Sequence, residues 1–173
     1  MSVLPVNPRR EIEIHHFPIL VYALVPPTAL VLQAWLPRLL GPWSWFDLPL
    51  VITVYFSLER RSPMQGAAMG AGLGILEDAL TQRPIGINGV AKTIVGYLAA
   101  SLGVRIDVEN HTVRLLLTFA LSLFSSVLYL FVYRILLGLD LDWSWLTELL
   151  KGVGNSVIAL FLFPLLDRSK IRD

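Results

Sequence analysis

Five ionisable side chains lie within or at the edge of apolar segments: Glu77, Asp78, Lys92, Glu148 and Lys151. An ionisable group at the centre of a bilayer costs about 2.5–3.5 kcal/mol on insertion scales, so it usually faces the protein interior with a partner. Glu148, Lys151 and Asn155 fall at i, i+3 and i+7 and so share one helical face. Together these residues read as an outward-facing polar cluster that joins three helices, with Asp78 and Lys92 linked at its heart. The alternative is that the lysines snorkel to the headgroups and that Glu77 or Glu148 is simply interfacial.

A second constellation surrounds the first. Gly66, Gly70, Gly74 and Asp78 recur every four residues along one helical face. Small residues at this spacing let another helix approach closely. The face is either buried against a neighbour within the fold or open to a partner's helix.

Other chemistry has little support. The sequence has no cysteine, which excludes disulfides, thiolate metal sites and thiol catalysis. His15, His16 and His111 are not at metal-ligand spacing and read as interfacial. Ser122, Ser125 and Ser126 have no histidine or paired base to activate them. There is no P-loop, HExxH or GxSxG pattern. We expect no enzyme activity, no cofactor and no bound metal. A formal net charge of +1 makes no case for nucleic-acid binding.

What must position these residues is a membrane bundle. Hydrophobic residues make up 55% of the 173 and charged ones 16%, with a mean hydropathy of +0.65. Soluble domains carry about 25% charged residues, so this surface cannot all face water. A helix needs about 20 apolar residues to cross a hydrocarbon core of about 30 Å. Six segments approach that length, at about 17–36, 43–58, 63–80, 85–104, 113–137 and 146–166. Pro26-Pro27 should kink the first, the second is short, and the third is rich in Gly and Ala. The first run is longer than a signal-peptide core of about 7–15 residues and has no small-x-small site at its end, so it reads as an uncleaved helix. Barrel strands of about ten alternating residues do not fit these continuous runs. The expected fold is therefore one all-α membrane domain, 1–173, with about six transmembrane helices and antiparallel sequence neighbours.

Lysine and arginine placement sets the orientation. With the N-terminus in the cytoplasm, Arg9, Arg10, Arg60, Arg61, Arg105, Arg114, Arg168, Lys170 and Arg172 fall inside, against Arg38, Arg83 and Arg134 outside. Trp35, Trp43, Trp45, Trp143 and Trp145 all fall at the expected outer ends, where amphipathic rings prefer the headgroup layer. Both termini are thus expected in the cytoplasm.

The stretch Gly72-Leu73-Gly74-Ile75-Leu76-Glu77-Asp78, followed by Pro84-Ile85-Gly86-Ile87-Asn88-Gly89, resembles the central motif of the rod shape-determining MreD family. In that family a glycine-rich helix ends in a GLxxD-like stretch before a short turn. The chain's size, Arg60-Arg61 and the basic tail are similar as well. An uncharged residue usually precedes the family's aspartate, where this chain has Glu77.

The resemblance implies a non-enzymatic scaffold or adaptor of the cell-elongation complex, which carries out lateral peptidoglycan synthesis in the bacterial inner membrane. Its implied partner is an MreC-like single-span protein. It implies an indirect link to the MreB filament and the peptidoglycan synthase machinery. The Gly66, Gly70, Gly74, Asp78 and Gly86 set would be the packing or partner face. The fold also looks similar to the substrate-binding subunits of vitamin transporters. That likeness keeps open an alternative function, a small-molecule-binding transporter subunit with its ligand in the outer cavity.

Overall fold

The computed structural model describes residues 18–40, 45–108, 110–138 and 143–170. Arg9, Arg10, His15, His16, Trp43 and Arg172 lie outside the described residues. Among the described residues every element is helical: α1 Ile19–Leu40, α2 Leu48–Arg60, α3 Pro63–Thr81, α4 Ile87–Arg105, α5 His111–Phe131 and α6 Trp145–Asp167. A π-helical turn, Val132–Leu136, extends α5. Three helical stretches, Ile87–Arg105, His111–Ile135 and Trp145–Asp167, are long and apolar enough to cross a membrane.

Local chemistry explains where the helices start. Asp47 caps α2, its Oδ1 accepting the Leu50 amide at 2.9 Å, with Pro49 in the first turn. This cap moves the start of α2 from the expected 43 to Leu48. Asn110 caps α5 by accepting the Thr112 amide at 2.9 Å, which puts His111 and Arg114 inside the helix. Helix α1 continues through Pro26 and Pro27 without a break.

Helix α2 is the centre of the bundle. Every residue from Pro49 to Glu59 is buried, and α1, α3, α4, α5 and α6 all pack against it. At 13 residues it spans only about 20 Å, at 1.5 Å rise per residue. A helix apolar on all sides belongs in an interior. Sheathed in this way, α2 has no need to match the thickness of a bilayer.

The pairings between helices give their directions. Gly66 packs on Gly96, Gly70 on Lys92 and Gly74 on Asn88, so α3 and α4 run antiparallel. Gly96 meets Thr53 and Gly103 meets Leu58, so α2 and α4 run parallel. Tyr55 meets Phe163 while the Asp47 amide reaches Asn155, so α6 runs with them. The Gln33 side chain bonds to the backbone of Phe46 and Leu48, and Tyr22 meets Phe56, so α1 runs the other way. Trp35, Trp45, Trp143 and Trp145 therefore gather at one end, and Arg60, Arg61, Arg105, Arg114 and Arg168 at the other.

The glycine face of α3 is filled from within the chain. A Cβ on Gly70 would collide with the Lys92 carbonyl, one on Gly74 with the Asn88 carbonyl, and one on Gly66 with the Gly96 carbonyl. Backbones this close need residues without side chains. The packing role expected of these glycines is the one they have. The expectation that the same face would receive a partner's helix fails, because α4 occupies it. Gly86 is not a packing residue either: a Cβ there meets nothing within 4 Å, and its φ of +104° identifies a turn glycine before α4.

Candidate functional site

At the tryptophan end the helices surround an open polar cavity of about 500 Å³. Glu77, Glu148, Lys151 and Asn155 line it, as expected of the outer cluster. They do not form one ionic network. Lys92, fully buried, lies beneath the cavity between two carboxylates that line it, with Nζ 2.8 Å from Asp47 Oδ2 and 2.6 Å from Glu77 Oε2. Lys151 instead pairs with Glu148 one turn before it on α6, at 2.7 Å.

The expected link between Asp78 and Lys92 is replaced by the one between Glu77 and Lys92. Adjacent residues on a helix point about 100° apart. Asp78 continues the glycine stripe and so faces the start of α4, whereas Glu77 turns toward the interior. Asp78 Oδ2 accepts the amides of Gly86 at 2.8 Å and Asn88 at 3.1 Å, and Oδ1 accepts Asn88 Nδ2 at 2.7 Å. This is a helix cap supplied by a neighbouring helix, satisfying donors that the first turn of α4 leaves free. The carboxylate also complements the positive end of the helix dipole.

Asn155 ties the cavity wall together. Its Oδ1 accepts the Asp47 amide at 2.8 Å, and its Nδ2 donates to Ser122 Oγ at 2.6 Å. One amide thus joins α2, α5 and α6. Ser122, Ser125, Ser126, Tyr129 and Tyr133 continue the α5 wall, the two tyrosine rings stacked at 5.7 Å. Asp47 was not expected here. A carboxylate two residues ahead of a proline that opens an apolar run was the signal for it, both as a cap and as a charge in the outer layer.

A second ionic site, at the arginine end, was also missed by sequence reasoning. Arg114 is 2% exposed. Its guanidinium donates to Asp167 Oδ2 at 2.7 Å and, through Nη2, to Glu59. Lys170 reaches Glu59 and Asp167, each at 2.9 Å, and Tyr55 donates to Asp167 Oδ1 at 2.9 Å. Arg114 also lies over the rings of Tyr55 and Phe163, at 5.3 and 5.1 Å. Two cations and two carboxylates balance, and the set joins α2, α5 and α6 as Asn155 does at the opposite end.

The polar chemistry thus divides into three parts: a hairpin lock at Asp78, an ionic lock at Arg114, and an open cavity floored by Asp47 and Glu77 with Lys92 buried beneath them. No protein-family model matches the chain, and it matches none of the curated proteins or solved structures with which it was compared.

Proposed function

We propose that the chain is a non-enzymatic scaffold of the bacterial cell-elongation complex, similar to the MreD family, that crosses the inner membrane six times with both termini in the cytoplasm. The observation that carries this reading is that the residues of the motif form one unit. Gly70 and Gly74 seat α4 on α3, Asp78 caps α4, and Gly86 makes the turn between them. A motif with this job builds a rigid two-helix post, as expected of a protein whose work is to hold a partner. The grouping of tryptophans at one end and arginines at the other supports the orientation, with the tryptophan end outward.

Because the glycine face is filled, we assign the MreC-like partner to the outer surface of the same hairpin. Met64, Ile75, Leu76 and Leu80 of α3 and Val90, Ile94 and Tyr97 of α4 are exposed there. Apolar side chains on this surface meet lipid or a single partner helix. The absence of native cysteine makes the test direct. Single cysteines at Ile75, Val90 or Ile94 should cross-link to the membrane helix of the MreC-like partner, and a cysteine at Leu160 on α6 should not. Cross-linking at Leu160 alone, or at none of these positions, would contradict the assignment.

The cavity favours a second reading, a small-molecule-binding subunit of a transporter. Such a carrier needs an energising partner, so nucleotide-hydrolysing subunits should co-purify with it. Under the scaffold reading they should not.

A further inference from the structure

From the geometry of the cavity we infer a binding site for an organic cation, a primary ammonium or guanidinium group on a slender stem, seated against Glu77. The inference rests on the cavity rather than on the scaffold role, and it stands or falls separately.

The floor carries the argument. Two carboxylates, Asp47 and Glu77, share the single ammonium of Lys92. Glu77 is only 3% exposed and lines the cavity. Its Oε2 meets Lys92 in an ion-pair contact, and among the described residues no hydrogen-bond donor satisfies that buried atom. A buried carboxylate with an open acceptor, at the bottom of a polar cavity, is a seat for a charge-assisted donor. Glu148 and Lys151 balance each other, and Arg83, exposed on the rim, acts on Glu77 across solvent that weakens its field.

The walls suit the rest of such a ligand. Trp45, Tyr129, Tyr133 and Trp143 supply aromatic faces above the floor, and a cation passing them gains from the ring quadrupoles. Ligand pockets commonly measure about 300–1,000 Å³, so 500 Å³ admits a small molecule or one long side chain. The cation has two possible sources, a free amine or a lysine or arginine side chain of a partner protein.

The test uses the whole protein in detergent micelles, read by tryptophan fluorescence and by the thermal unfolding midpoint. The probes are tyramine and agmatine, with N-acetyltyramine as the uncharged control. A terminally blocked Gly-Gly-Lys-Gly-Gly peptide is the fourth probe, with its norleucine counterpart as control. We expect saturable binding of a cationic probe at least tenfold tighter than that of its uncharged control. Binding of a free amine identifies a small ligand, and binding of the lysine peptide alone identifies a partner's side chain. Glu77→Gln should weaken binding at least tenfold while leaving the Lys92–Asp47 pair balanced. Ser126→Trp, which fills the cavity without touching the floor, should abolish binding. Equal binding of charged and uncharged probes, no saturable binding of any probe, or full binding by a folded Ser126→Trp variant would overturn the inference.

Discussion

Asp78 and Asn88 hold each other by two hydrogen bonds, the aspartate accepting both the backbone amide at 3.1 Å and the side-chain Nδ2 at 2.7 Å. Both residues are buried. With the Gly86 amide as a third donor, Asp78 closes the top of the α3–α4 hairpin. Asp78→Ala would strand three donors at once. We expect a loss of about 2–6 kcal/mol, given about 1–3 kcal/mol for each of the two buried Asn88 donors left unsatisfied and little for the part-buried Gly86 amide. Thermal unfolding in detergent measures it, and a midpoint equal to that of the parent would refute the capping role.

Below that cap, the hairpin is closed by backbone contact, and its glycines should not be interchangeable. Gly70→Ala drives a methyl group into the Lys92 carbonyl and should cost about 1–3 kcal/mol or more. Gly72→Ala meets nothing within 4 Å and should stabilise the helix by up to about 1 kcal/mol. The two variants compared in one melting experiment should move in opposite directions. Equal effects would mean that the packing face is misplaced.

The floor of the cavity predicts which charges are partners. Lys92→Met leaves two carboxylates facing each other in a buried site, and breaking a buried pair costs about 3–5 kcal/mol. Exchanging the charges, Glu77→Lys with Lys92→Glu, should recover part of that loss. The exchange Asp78→Lys with Lys92→Asp should recover none, because those two residues do not pair. Yield of folded, monodisperse protein reads both outcomes, and rescue by the second exchange alone would overturn the assignment.

At the opposite end, Arg114 serves two carboxylates through one planar fork. A lysine ammonium is a point charge and cannot span both with the same geometry. Arg114→Leu should cost about 3–5 kcal/mol, as for other buried pairs deprived of a partner. Arg114→Lys should fall between Leu and the parent in resistance to proteolysis. Parent-like resistance of Arg114→Leu would show that Lys170 alone suffices.

Much of the architecture was legible before any coordinates. Continuous apolar runs located the six helices, with ends displaced where a cap such as Asp47 or Asn110 intervened. The stripe Gly66, Gly70, Gly74 marked a face of close packing, but periodicity cannot say which helix fills it. The same limit misassigned Lys92: choosing between Glu77 and Asp78 requires knowing which side of α3 meets α4, and adjacent residues point in different directions. Arg114 lay within the expected segment 113–137 but was counted only as an inside cation, because its partners Glu59 and Asp167 come from α2 and α6 and sequence spacing does not bring them to it. The central place of α2 was hidden because a mostly apolar segment announces burial without saying against what.

The scaffold reading implies a rod-shaped bacterial host, and it is tested most directly by depleting the protein in its native cells and measuring cell width and length over successive divisions. The account predicts progressive widening into round cells, reversed by the parent chain and not by the Gly70→Leu variant that cannot close the α3–α4 hairpin. Cells that keep their rod shape through depletion while acquiring a requirement for an added vitamin would contradict it and establish the carrier reading instead.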